Sequence, residues 1–193
     1  MNEAYLRDQL CQCAHQLWLR GLVAGDAGLV SVEVHRRRFL VTPPGRRRAA
    51  LAPDHVMCVD MGGQNIQGEG GVDERDWRPH RLAYQLSLER SLEAGDARTP
   101  AFAASVLATP PAVLAAARLG LAEALELPSA PSDDEAALRQ ALGQHPALLI
   151  AGRGLLTLGT TLEEAHNRVE QLELAAAIEL AAAGHGSPLT GPR

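Results

Sequence analysis

Aromatic residues, cysteines and long apolar runs are all scarce in this sequence. Aromatics make up 3% of its 193 residues, so leucine, valine and alanine must fill the core. No stretch approaches the roughly 18 consecutive apolar residues that a membrane span needs. The net charge of −5 favours solubility and argues against nucleic acid as a general partner, so neither nucleic acid nor membrane is expected. Cys11, Cys13 and Cys58 are odd in number, and reduced thiols are expected. Cys11 and Cys13 stand two apart on a predicted helix and cannot share a face, which speaks against a metal pair. The opening Met1-Asn2-Glu3-Ala4 lacks the basic and apolar regions of a signal peptide, so a cytoplasmic location is expected.

Common catalytic motifs are missing too. Gly62-Gly63 with Gly68 is not followed by the Gly-Lys-Ser/Thr of a phosphate loop. There is no Cys-x-x-Cys, no His-Glu-x-x-His and no Gly-x-Ser-x-Gly.

Periodic apolar patterning is plentiful. Leu6, Leu10, Ala14, Leu17 and Gly21 recur at helical spacing, with Asn2 as a cap. Val30, Val32 and Val34 alternate with Ser31 and Glu33 as in a half-buried strand, and Phe39-Leu40-Val41 returns after an arginine turn. Residues 29–42 therefore read as a β-hairpin. Val56 to Val59 reads as a short strand, followed by a glycine-rich loop to Gly71 and a helix that starts at Asp76 or a near neighbour. A polar break at 94–100 precedes a strand at 101–107, and Pro110-Pro111 opens the next helix. Ser132-Asp133-Asp134-Glu135 fits a capping box for a helix over 133–144. Residues 147–150 and 155–158 read as paired strands split by Gly152-Arg153-Gly154. Thr160-Thr161-Leu162-Glu163 fits a second capping box, before a stripe of Leu162, Ala165, Val169, Leu172, Ala176 and Ala183 on a long helix that Gly184 stops. The clusters Arg36-Arg37-Arg38 and Arg46-Arg47-Arg48 read as solvated turn residues, an anion site being the lesser alternative. The pattern predicts α/β layers around a mixed, mainly antiparallel sheet.

The order of these pieces resembles the class II aldolase/adducin family over nearly the whole chain. Gly21-Leu22, Gly28-Leu29-Val30-Ser31, Thr42-Pro43-Pro44-Gly45, Asp76-Trp77-Arg78-Pro79-His80 and the closing strand–turn–helix through Leu162-Glu163-Glu164-Ala165 carry the likeness. It implies a three-layer α/β/α domain, placed over 1–184 because Gly184 stops the last helix and leaves 185–193 as a disordered tail, and a homo-oligomer such as a tetramer, or assembly with an active relative. It also implies zinc, held in the family's enzymes by a His-x-His-Pro segment and a later His-Gly. Here those positions hold Leu107, Thr109 and Arg153, so no metal or other cofactor is expected. The acid/base position holds Asp76 where the family has glutamate. Two phosphate-contacting hydroxyl positions hold Glu74 and Arg75, and Leu29 replaces an asparagine. The stretch between 119 and 132 looks shorter than in relatives, as though a strand or loop were lost.

The resemblance leaves Asp76 as a degenerate catalytic position, with Gly28, Thr42, Gly45, Arg75, His80 and Arg153 as candidate contacts for a small anion. Two functions follow. One is a catalytically silent binding or oligomeric scaffold protein. The other is a lyase, aldolase or epimerase acting on a small phospho-sugar or keto acid by altered chemistry, with Arg153 as a fixed cation and Asp76 and His80 on one helical face.

Overall fold

The computed structural model describes residues 2–35, 37–94 and 101–185. Arg36, most of the polar break (95–100) and the tail from 186 onward lie outside the described residues. Within them, five α-helices and seven strands follow one another as α1 (Glu3–Leu19), β1 (Leu29–His35), β2 (Arg38–Val41), β3 (Met57–Val59), α2 (Glu74–Glu93), β4 (Ala104–Ala108), α3 (Pro111–Arg118), β5 (Ser129–Ala130), α4 (Glu135–Gln144), β6 (Ala147–Ile150), β7 (Gly154–Gly159) and α5 (Leu162–His185). One sheet runs in the order β3-β2-β1-β4-β7-β6-β5. Every pairing is antiparallel except the parallel β5–β6 edge.

Alternation along the central strands sorts the core into two layers. Val30, Val32, Ala104, Val106, Ala108 and Leu155 join the core with α1, α3 and α5. Leu29, Leu107, Leu156 and Leu158 turn the other way and pack with α2 and α4. These are the α/β layers that the patterning predicts, in the three-layer α/β/α arrangement that the resemblance implies. Ser31 departs from expectation. It is fully buried rather than facing solvent, because β1 lies inside the sheet with helices on both faces.

Local signals mostly act as read, with small shifts. The Asn2 side chain accepts from Ala4 N at 3.1 Å and starts α1. In α4 the cap is Asp134, which accepts from Ala137 N at 2.9 Å, rather than the earlier Ser132. Before α5 the reciprocal cap sits one residue later than predicted. Thr161 Oγ1 accepts from Glu164 N, and the Glu164 carboxylate accepts from Thr160 N and Oγ1. The α5 stripe is buried at Leu162, Ala165, Val169 and Ala176, but Ala183 is exposed and the helix runs through Gly184 to His185. Cys11, Cys13 and Cys58 are free and buried. Burial, with nearby acids, raises the Cys11 thiol to about 11 and the Cys13 thiol to about 12.

Candidate functional site

The loops at one end of the sheet enclose a cleft of about 320 Å³. Gly28, Thr42, Gly45, Asp76, Leu107, Thr109 and Arg153 all line it, although they come from widely separated stretches of the sequence. Arg75 and His80 do not.

Each wall has a local cause. Gly28 adopts φ +76°, and a Cβ there would stand 2.5 Å from the Leu107 carbonyl oxygen. The loop can therefore lie against β4 only with glycine. Thr42 Oγ1 accepts from Val30 N at 3.1 Å, while Thr42 N donates to Val30 O, which locks the end of β2 to the start of β1. Thr109 N donates to Leu22 O at 2.9 Å, so the exit of α1 fixes the end of β4. No side chain of its own caps α3. Glu173 of α5 does so, accepting from Ala112 N at 2.9 Å and Val113 N at 3.0 Å. Asp73 caps α2 by accepting from Arg75 N at 2.8 Å, which sets Asp76 in the first turn, facing the cleft.

Arg153 Nη1 stands 2.7 Å from the Asp76 carboxylate, with side-chain exposures of 20% and 42%. Cation and carboxylate thus neutralise one another inside the cleft. Arg48 is a second cation in the wall and a correction to the sequence reading. It is 2% exposed rather than solvated. Its guanidinium donates to the carbonyls of Ala27 (3.3 Å), Gly28 (2.5 Å), Pro43 (3.0 Å) and Arg46 (3.2 Å). The side chain ties the 26–28 and 43–46 loops together, and burial pulls its pKa down to about 10. Asp26 also lines the cleft, so two arginines face two aspartates.

The two remaining candidates lie elsewhere. Arg75 is exposed on the first turn of α2. Glu74 beside it pairs outward with Arg78 and Arg81. His80 is fully buried, one turn deeper than Asp76, and this corrects the expectation of a substrate contact. Its Nδ1 lies 2.8 Å from Ser31 Oγ and 2.5 Å from Ser105 Oγ, and Tyr84 Oη completes the network at 2.8 Å from Ser31 Oγ. The ring stacks on fully buried Trp77 at 6.0 Å, and Trp77 Nε1 donates to Met61 O. The signal for this network was present at Ser31 and Ser105, polar residues at strand positions that face α2.

Burial holds the His80 imidazole neutral, with a pKa of about 3 against about 6.5 in an unfolded chain. The unfolded state therefore takes up a proton that the native state refuses as pH falls below 6.5. Stability is fully present above that pH and drops toward acid by up to about 1.4 kcal/mol per unit. His166, also lowered by burial, adds to the same trend. Thermal unfolding between pH 7.5 and 5 is expected to show a falling midpoint, with a shallower slope in His80→Gln. Equal slopes in the two proteins would remove His80 as the cause.

The profile of the class II aldolase and adducin N-terminal domain matches residues 8–180. The chain belongs to this family. No curated protein matches the sequence significantly. Among solved structures, L-fuculose-1-phosphate aldolase from Thermus thermophilus is 26% identical, with a TM-score of 0.75 over 96% of this chain and 100% of that one. YgbL from Klebsiella pneumoniae is 24% identical, with a TM-score of 0.76 over 98% of this chain and 94% of that one. A sugar-phosphate aldolase from Thermotoga maritima is 20% identical, with a TM-score of 0.74 over 96% and 97%.

The class II aldolase resemblance assigns zinc to the positions of Leu107, Thr109 and Arg153, and the residues present do not fit the ion. Leucine has no donor atom, a threonine hydroxyl is a poor zinc ligand, and arginine is a permanent cation. Among the described residues no histidine lines the cleft, and no group of three His, Cys, Asp or Glu side chains is arranged to hold a metal. No helix among them is long and apolar enough to cross a membrane. The 119–132 segment carries β5, a two-residue strand that sequence patterning missed because its pairing partner, β6, lies beyond the whole of α4.

Proposed function

We propose that this chain is a catalytically silent member of the class II aldolase family that acts as a binding or oligomeric scaffold protein. The observation that carries this reading is the Arg153–Asp76 pair, 2.7 Å apart. One partner stands at a zinc-ligand position of the family pattern and the other at its acid/base position. Each cancels the charge that aldolase chemistry would draw on. Family members assemble with sites between neighbouring subunits, so a homo-oligomer, or a mixed one with an active relative, is the natural form. A cytoplasmic location accompanies this reading.

An altered enzyme is the second reading, favoured by one observation. Asp76 keeps 42% of its side chain exposed beside a fixed cation, an arrangement suited to proton abstraction next to a carboxylate or keto group. That enzyme would be a carbon–carbon lyase or epimerase on a small phospho-sugar or keto acid.

Incubating the protein with L-fuculose 1-phosphate and zinc is expected to give no aldehyde product above a protein-free control. Solvent deuterium is expected not to enter a keto acid incubated with the protein. Cleavage in the first assay or exchange in the second would replace the silent reading with the enzymatic one. Arg153→Ala is expected to keep the fold, with a melting shift of a few degrees at most, since a part-exposed ion pair contributes only about 1 kcal/mol. A collapse of secondary structure in that variant would make Arg153 essential to the fold instead of a side chain that only neutralises Asp76.

A further inference from the structure

Arg153 separates the Asp76 cleft from a second, larger cavity of about 500 Å³. This volume falls in the range of small-ligand pockets. Leu114 and Ala117 of α3, Ala122, and Leu149 and Ile150 of β6 supply apolar wall. Its charged lining is of one sign. Arg118, exposed at the last turn of α3, and Arg153 both face it, and no carboxylate among the described residues lines it. The Arg153 guanidinium reaches Asp76 through Nη1. Its Nε is buried and has no hydrogen-bond partner among the described residues.

We propose that this cavity binds a short-chain aliphatic monocarboxylate, its carboxylate set on Arg118 at the Arg153 end of the cavity and its chain laid over α3 and β6. An apolar wall with a cationic end matches a ligand that is apolar with an anionic end. A phosphate or sugar phosphate matches poorly, since it would lose hydration against Leu114, Leu149 and Ile150 without enough donors in return. The assignment gives an address and a chemical class to the binding half of the silent-scaffold reading, and in that respect rests on it.

Calorimetric titration of the full chain with acetate, butyrate and hexanoate tests the idea. Affinity is expected to rise by up to about fourfold for each added methylene, the gain for burying one CH₂. Hexanol and inorganic phosphate are expected to bind far more weakly than hexanoate. Arg118→Gln, an exposed change that leaves the fold intact, is expected to weaken hexanoate severalfold, and Ala117→Leu to erase the gain with chain length by filling the cavity. Should Ala117→Leu fail to fold, Arg118→Gln still decides. Affinity independent of chain length, phosphate binding as tightly as hexanoate, or hexanoate binding unchanged by Arg118→Gln would each overturn the proposal. Its failure is distinct from failure of the silent reading. Hexanoate binding with sugar-phosphate cleavage would sink only the latter, whereas no binding and no cleavage would sink only the former.

Discussion

Replacing Leu107, Thr109 and Arg153 together by histidine is expected to turn the cleft into a zinc site holding about one ion per chain, the occupancy of a three-ligand site with an open fourth position. Leu107 and Thr109 are two apart at the end of β4, so their side chains point to the same face, and both line the cleft with Arg153. The β6–β7 turn lies against that strand end, since a Cβ built at Gly154 would come 3.4 Å from Thr109 Cγ2. Pro110 and Gly154, which follow the family's ligand positions, are retained. The unaltered chain therefore lacks donors only, and the backbone that would present them is in place. A gain of at least a thousandfold in zinc affinity, about 4 kcal/mol, is expected over the unaltered chain. Substitution with cobalt would report tetrahedral coordination by its visible absorption. A folded variant that takes up no metal would show that these positions do not converge.

Gly154→Ala is expected to be among the most damaging single changes in the chain. Gly154 sits at φ +130°, and an added Cβ would fall 2.1 Å from the Ala108 carbonyl oxygen. That oxygen is backbone in the middle layer of the fold and cannot swing aside. Strain in a glycine-only conformation and the steric overlap together should cost roughly 3 kcal/mol or more, lowering the melting temperature by about 6–12 °C for a chain of this size. Gly152→Ala, two residues away, provides the contrast. It too has positive φ, but nothing lies within 4 Å of an added Cβ, so its cost should stay near about 1 kcal/mol. Comparable losses in both variants would mean that the turn, and not its contact with β4, sets the stability.

Much of the fold was legible because it is written in periods. The hairpin at 29–42, the strands at 147–150 and 155–158, and the α5 stripe follow from alternation of two or 3.6 residues, and these elements make four of the seven strands and one helix of the layer shared with α1 and α3. β5 escaped because two residues carry no period. The cleft lining was accessible only through resemblance, since Gly28, Thr42, Asp76 and Arg153 share no local pattern and meet through topology. Two side chains were misplaced for physical reasons. Arg48 sits in a triplet of arginines, which ordinarily means solvent, yet carbonyls of two neighbouring loops converge on it. His80 shares a helical face with Asp76, but a helix that starts at the rim and runs inward buries its second turn. There Ser31 and Ser105 had left a polar hole for the imidazole.

The loss of the family's zinc chemistry is the claim on which the functional reading depends. The metal content of the unaltered protein, incubated with excess zinc and then desalted, tests it most directly. The account predicts that no zinc is retained, because Leu107, Thr109 and Arg153 offer the ion no ligand set. Stoichiometric zinc on each chain would contradict it and return the protein to the active aldolases.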